Sequence, residues 1–489
     1  MAAARKPLTT LLLLMALSGL IYLIVFTLPF PLTTYFAVTP PLDYAKLTGH
    51  SISGLAAYLA GILTLFAIYG WLLKWPGLSA LPAITPYSGL LFAAILFFGY
   101  PTLAIDLLIY AVRARIWGLY GLNPLAIRPD SLPPADPWAT LAAEWGDIAS
   151  PYGPLWEVIS LGAFRLAGGD FLGQLFLLKG LSILAYLGCI FVIGRILTEI
   201  QPEWKLAGML AFAWNPLVLF ETAQNAHNDI LMVLLLLLAA WILARAKTSL
   251  AALPVLPLVG LAVQIKVVAL LAAPFFILKL AMQETAWPRR ISLFLLHSLL
   301  FAAFAVLPVA PLWPGWENWA VVSFNAGAGR SPLALLILAL RPLLGVNLAF
   351  DMSRLIINGL FAGLMLWLLW QRRRNLSRLQ TTFYLAWAIF FWYLLIAIPV
   401  FHAWYLLWSL PFAILLLPDA GPLAATTIFT LTALLVIPYF ETIRVWFPLL
   451  LQNHLLGHLI AVPLLVGPAV WVAVRGQWLA VSGQPSAEK

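Results

Sequence analysis

The stretch Phe220-Glu221-Thr222-Ala223-Gln224-Asn225-Ala226-His227-Asn228-Asp229 sets two carboxylates, three primary amides and an imidazole between residues 206–220 and 230–246, which are otherwise apolar enough for lipid. A charged side chain at the bilayer centre costs about 2.5–3.5 kcal/mol on insertion scales, so a polar cluster at membrane depth lines a cavity, a relay or a reaction site. The apolar flanks set the fold class, and the cluster marks the depth at which function is to be sought.

Working outward, the whole chain of 489 residues is 63% hydrophobic and 9% charged, which excludes an ordinary water-facing surface. Residues 8–30 exceed the ~7–15 residue apolar core of a signal peptide and lack a convincing small-residue cleavage site, so they read as a retained first span. Further runs lie at 52–74, 85–104, 172–196, 206–220, 230–246, 250–264, 266–281, 291–311, 350–370, 381–400, 403–418, 421–438 and 455–474. The expectation is therefore about fourteen transmembrane helices, several shorter than the ~20 residues that cross a bilayer untilted. The fold class is all-α and polytopic, with one helical domain over 1–489 and with 105–153 as its first large extracytoplasmic loop. Cys189 is the only cysteine, which leaves no intrachain disulfide and no thiolate metal site.

Lys and Arg should gather on the cytoplasmic side. With the N-terminus inside, the inner loops take 16 of the 27 basic residues, Arg372-Arg373-Arg374 among them, and only 5 of the 18 acidic ones. Both termini are then cytoplasmic and the protein is a multi-pass plasma-membrane protein surrounded by lipid. The net charge of +9 reports this orientation, and no nucleic-acid partner is needed to explain it. Residues 331–346, which contain Arg341-Pro342, read as a surface-lying or re-entrant piece, because counting them as a span would place Arg372-Arg373-Arg374 outside. On this topology 105–153, 221–229, 312–349 and the turn at 401–403 all face the extracytoplasmic side.

If helix runs from Ile105 toward Gly118, then Asp106, Tyr110, Arg113 and Trp117 share one face, and Gly121-Leu122-Asn123-Pro124 ends it. A carboxylate, a phenol and a guanidinium then converge. The bland reading is an interfacial helix in which Asp106 pairs with Arg113 or caps a helix start. In the opening stretch, Glu221, Asn225 and Asn228 recur at i, i+4 and i+7, with His227 and Asp229 beside them. Capping by Asn225 or Asn228, with Asp229 in the first turn, accounts for one or two of these residues and not for five. His227 with Asp229 has no second His or Cys at zinc spacing, so no metal is assigned.

Four further places are weaker. Ser150-Pro151-Tyr152-Gly153-Pro154-Leu155-Trp156 reads as a structural turn into a helix with Glu157 in its first turn. Lys266 either snorkels or faces a phosphate. Arg330 follows the Gly-rich Asn325-Ala326-Gly327-Ala328-Gly329, a candidate anion loop. His402 sits among aromatics, where an interfacial belt is the default.

Taken together, these residues and their order resemble the polyprenyl-phosphate-sugar-dependent glycosyltransferases of the GT-C superfamily, especially glycosyltransferase family 87 and the bacterial α-1,6-mannosyltransferases of actinobacterial lipoglycan synthesis. Four places carry the resemblance, within roughly residues 95–410: Asp106 with Tyr110 and Gly121-Leu122-Asn123-Pro124; Tyr152-Gly153-Pro154-Leu155; Trp214-Asn215-Pro216 with Glu221 and His227-Asn228-Asp229; and His402-Ala403-Trp404-Tyr405-Leu406-Leu407-Trp408. The resemblance implies a GT-C fold and transfer of a hexose, with mannose indicated. The donor would be a polyprenyl-phosphate sugar and the acceptor a lipid or glycan on the extracytoplasmic face. Asp106 matches the general base of that superfamily. Several members bind a divalent metal through paired acids, whereas Asp106 is followed by Leu107 and Leu108, so no cofactor is required and a metal is unsupported.

The chemistry fits the residues on its own terms. Attack of a hydroxyl on an anomeric carbon needs a carboxylate to take its proton and positive charge to stabilise the departing phosphate. Asp106 supplies the first; Arg113, His227, Lys266 and Arg330 are candidates for the second. Asn228 and Asp229 suit the orientation of sugar hydroxyls. The competing class is a transporter or flippase for a polar or lipid-linked substrate, although its usual inverted repeats are not visible. A membrane ligase of O-antigen type is a third.

Overall fold

Eight helices among the described residues are long and apolar enough to cross a membrane singly: Pro7–Thr27, Ile52–Lys74, Phe171–Ile200, Trp287–Leu312, Val346–Asn375, Leu379–Ala397, Ala420–Trp446 and His454–Arg475. A ninth arises if Pro202–Ala213 and Pro216–Gln224, which meet at a 54° bend, form one broken span. Short apolar helices account for other runs, including Thr85–Phe97, Val267–Ala281 and Ala403–Ile414. The protein is thus an all-helical, polytopic membrane protein. Hydrocarbon offers no hydrogen bonds to the backbone, and a helix satisfies its own. Fewer helices reach full length than the apolar runs suggest, because Pro and polar residues interrupt several of them.

The computed structural model describes residues 2–316 and 329–482, which divide into two compact units, Met1–Asn325 and Ala326–Lys489. Numbering helices of nine residues or more, the first unit contains α1 (Ala2–Ile21), α2 (Ile52–Lys74), α3 (Gly89–Phe97), α4 (Asp106–Gly118), α5 (Pro154–Leu166), α6 (Phe171–Ile200), α7 (Lys205–Ala213), α8 (Asp229–Arg245), α9 (Val255–Val263), α10 (Ala273–Ala281) and α11 (Trp287–Val306). The second contains α12 (Pro332–Leu344), α13 (Val346–Arg372), α14 (Leu379–Trp392), α15 (Ala420–Pro438) and α16 (His454–Ser482).

In the first unit α8 packs against α6 and α9, and α9 against α11. Lipid tails are as apolar as leucine, so close packing rather than water exclusion holds such helices together. Gly260 serves that packing: a Cβ there would stand 3.0 Å from backbone atoms of Phe301 and Ala305 on α11. In the second unit α15 lies along α16, and α12 against α13. The segment 331–346 forms α12, too short to span alone, and ends at Gly345, whose φ of +76° suits a residue without Cβ.

One break positions the opening stretch. Asn215 Oδ1 accepts the backbone N–H groups of Leu217 (3.0 Å) and Val218 (3.4 Å), capping a fresh helical turn in which Pro216 needs no N–H of its own. That turn widens into a π-helical segment at Phe220–Gln224, packed against α3 and α6.

Candidate active site

The π segment delivers Glu221, and the four residues after it reverse the chain into α8. Ala226 carries the turn at φ +54°, an uncommon left-handed conformation for a residue with a Cβ. Side chains hold it there: Asn225 Nδ2 donates to Glu221 Oε2 at 2.8 Å, and His227 Nε2 lies 3.5 Å from the same oxygen. The His227 backbone N–H donates to the Glu221 carbonyl at 2.9 Å. Glu221, Asn225, His227, Asn228 and Asp229 are all fully buried. Asn228 occupies the N-cap position of α8, yet its side chain makes no capping bond. Both its amide atoms, Glu221 Oε1 and Asn225 Oδ1 have no protein partner among the described residues. Capping therefore does not account for the cluster.

Asp106 opens α4 in the register that the spacing predicts. Its neighbours Tyr110 and Arg113 converge with it on one ring, that of Tyr152. The Tyr152 hydroxyl donates to Asp106 Oδ1 at 3.0 Å, Tyr110 meets the ring edge-on at a centroid distance of 5.3 Å, and the Arg113 guanidinium stands 5.8 Å from its centre. No ion pair joins Asp106 to Arg113 among the described residues; buried Arg113 donates Nη2 to the Ile148 carbonyl at 3.2 Å. Trp117, the last residue of that face, packs instead on Ala114, Leu161 and Phe164. The helix ends as Gly121 adopts φ +66° and Leu122 N–H reaches back to the Ile116 carbonyl at 3.0 Å.

Lys266 joins the two groups. Its ammonium lies 2.9 Å from each carboxylate oxygen of Asp229 and 5.8 Å from the Tyr152 ring centre. The approach depends on Gly153, where a Cβ would overlap the backbone of Gln264; Trp156 N–H bonds the Gln264 carbonyl at 3.3 Å. Lys266 is 14% exposed while Asp229 is wholly enclosed, which leaves Asp106, Tyr152 and Lys266 partly open in front of a closed polar layer. Asp106 lies within electrostatic reach of Lys266, Asp229 and Arg113. Withdrawal from water pushes its carboxyl above the ordinary value, while Lys266, the Tyr152 hydrogen bond and Arg113 pull it down. Burial also holds the Tyr152 phenol well above its usual range, so it remains a donor. No group of three or more His, Cys, Asp or Glu among the described residues is disposed to hold a metal.

Arg330 and His402 belong to the second unit. There Gly329 pairs with the chain around Val400, through Gly329 N–H to the Pro399 carbonyl (3.1 Å) and Phe401 N–H to the Gly329 carbonyl (2.9 Å). The Arg330 side chain donates to Glu441 and lies 5.1 Å from the centre of the Phe440 ring, and its backbone N–H meets His458 Nε2 at 3.3 Å. His402 stacks on Trp404 at 4.2 Å. The Gly-rich loop expected before Arg330 lies outside the described residues, apart from Gly329.

Three features were not legible as site residues. Tyr152 and Gly153 carry part of the family resemblance but by their chemistry read only as a turn, since a turn signature says nothing about which segment packs behind it. Glu157 is buried, accepts the Ser150 hydroxyl at 2.5 Å, and has its carboxyl pushed up to about 7 by burial. Lys179, enclosed in the first third of α6, donates to the carbonyls of Leu96 (3.2 Å), Gly99 (2.7 Å) and Gln224 (2.7 Å). It pins the end of the π segment. Its signal was present as a lone cation within an apolar run.

The family model for the N-terminal domain of alpha-(1->6)-mannopyranosyltransferases matches residues 27–282, just over half of the chain, and the chain belongs to that family. No curated protein and no solved structure matches it. The protein is a membrane hexosyltransferase, a mannosyltransferase by family, which takes a sugar donor and a glycan or lipid acceptor; a transporter is not favoured. The candidate residues of the first unit, from Asp106 to Lys266, fall inside the matched region.

Proposed function

We propose that this mannosyltransferase uses a polyprenyl-phosphate mannose donor and transfers the sugar to a lipid-linked or glycan acceptor on the extracytoplasmic face, with Asp106 as general base. The observation that carries this reading is the partly open Asp106 carboxylate, hydrogen-bonded by Tyr152 and set beside the Lys266–Asp229 pair. The acceptor hydroxyl gives its proton to Asp106 as its oxygen bonds to the anomeric carbon. The anomeric carbon–oxygen bond breaks and its electron pair departs with the phosphate. Lys266 is the most accessible cation beside Asp106 and meets the phosphate, with Arg113 adding positive potential from behind.

Glu221, Asn225, His227, Asn228 and Asp229 form the closed polar layer beside Asp106 that orients the sugar once it opens toward the donor, and the unmet hydrogen-bonding capacity of Asn228, Asn225 and Glu221 is what the sugar's hydroxyls would then satisfy. Tyr110 backs the Tyr152 ring. Arg330 and His402 are also proposed as substrate-binding residues. The short and broken helices are proposed to complete the roughly fourteen passes expected from the apolar runs, with both termini cytoplasmic. No cofactor enters this chemistry.

The test is transfer from radiolabelled polyprenyl-phosphate mannose by the purified full-length protein, with and without chelator. Labelled product should form in both, and Asp106→Asn should lower turnover by about 10²–10⁴-fold while donor binding persists. Turnover on a nucleotide sugar alone would overturn the donor assignment. A folded Asp106→Asn protein of near-normal turnover would overturn the base.

A further inference from the structure

Tyr152 ends a chain of hydrogen bonds that begins at a carboxyl group buried behind it. Glu157, 1% exposed in the first turn of α5, accepts from the Ser150 hydroxyl at 2.5 Å. Ser150 Oγ accepts the Tyr152 backbone N–H at 3.3 Å, and the Tyr152 hydroxyl donates to Asp106 Oδ1 at 3.0 Å. Both ends of the turn are tied down: Ser150 N–H bonds the Pro124 carbonyl at 2.9 Å, and Gly153 lies flat on the backbone at Gln264. The ring between them stands 5.8 Å from Arg113 on α4 and 5.8 Å from Lys266, with Tyr110 at its edge. A phenol fixed in this way presents its proton to one carboxylate oxygen and not to the other.

We propose that Tyr152 is a positioning residue for the transfer: its hydroxyl holds Oδ1 of Asp106 and turns Oδ2 toward the acceptor, while Glu157, through Ser150, holds Tyr152. This rests on Asp106 being the base. In the step itself the acceptor proton passes to Oδ2 and the sugar leaves its phosphate as described above; Tyr152 keeps its own proton throughout. A hydrogen bond given to an ionised carboxylate favours that form, so the hydroxyl also helps to keep Asp106 ready to accept.

The experiment compares Tyr152→Phe, Ser150→Ala, Asp106→Asn and the double variant Asp106→Asn/Tyr152→Phe in the full-length protein, with kcat and KM measured against pH. Phenylalanine keeps the ring and removes only the hydroxyl. We expect kcat to fall about 10-fold with the donor KM within about twofold, and the acidic limb of kcat/KM to move up by about one pH unit. The double variant should be no more than about twofold slower than Asp106→Asn, because a group acting through another adds nothing once that one is gone. Ser150→Ala should move the same limb in the same direction by less, and it carries these readouts should Tyr152→Phe fail to fold. An unmoved limb in Tyr152→Phe, or a multiplicative loss in the double variant, overturns the positioning role and leaves the base intact. An unmoved limb in Ser150→Ala overturns the Glu157–Ser150 arm and, should Tyr152→Phe fail to fold, the positioning role with it. Near-normal turnover in Asp106→Asn overturns the base reading itself, whatever Tyr152→Phe does.

Discussion

The ammonium of Lys266 stands 2.9 Å from both carboxylate oxygens of Asp229, joining the end of α9 to the start of α8 in a place where the acid has no contact with solvent. Two charges so placed stabilise each other mainly because neither can be removed alone. A buried pair that loses one partner costs about 3–5 kcal/mol, whereas replacing both by neutral groups costs far less. The candidate site contains such a pair.

Lys266→Met should therefore lower the thermal stability of the solubilised protein, at the lower end of that range because Lys266 is partly exposed. The double variant Lys266→Met/Asp229→Asn should recover much of the loss. Thermal unfolding followed by size-exclusion chromatography measures both. A single variant as stable as the parent would show that the pair contributes little.

Glu157 supplies a pH dependence of stability. Its carboxyl lies at about 7 in the folded protein against an ordinary 4.5, so the folded state binds the proton more tightly than the unfolded one. The stability this contributes is complete below pH 4.5 and is lost as pH rises through 7. Glu157→Gln keeps an acceptor for Ser150 and removes the titration. Unfolding curves from pH 5 to 8 should fall for the parent and run flatter for the variant. Parallel curves would mean that Glu157 does not titrate in this window.

Gly153→Ala should damage activity more than its size suggests. The added Cβ meets backbone at Gln264, which cannot rotate away as a side chain would. Turn and strand of chain must separate, and with them Tyr152 and Lys266. We expect a loss of about 1–3 kcal/mol in stability and a fall in turnover of about 10-fold or more. Normal kinetics in this variant would argue that the spacing between Tyr152 and Lys266 is not used.

Orientation is open to direct labelling. Cysteines placed near residue 130 and at residue 373 should react with an impermeant thiol reagent from opposite sides of the membrane, the first from outside in spheroplasts. The parent's own Cys189 is buried and should stay silent. Labelling of both positions from one side would refute the proposed topology.

The amino-acid sequence by itself determined that this is a helical membrane protein and where its buried polar groups are concentrated. Apolar runs and polar interruptions are local properties, and lipid penalises a misplaced charge so heavily that Asp106 and the 221–229 cluster stand out without any knowledge of packing. The register of α4 followed from the same logic, since helical periodicity fixes which side chains share a face. Tertiary structure alone decided that Asp106 lies hydrogen-bonded to Tyr152 and not in an ion pair with Arg113, and that Lys266 answers Asp229 from 37 residues away. It also decided how many apolar runs become full-length helices. Those outcomes depend on which backbone segments approach each other, as at Gly153 and Gln264, and no local pattern encodes a close approach between segments more than 100 residues apart.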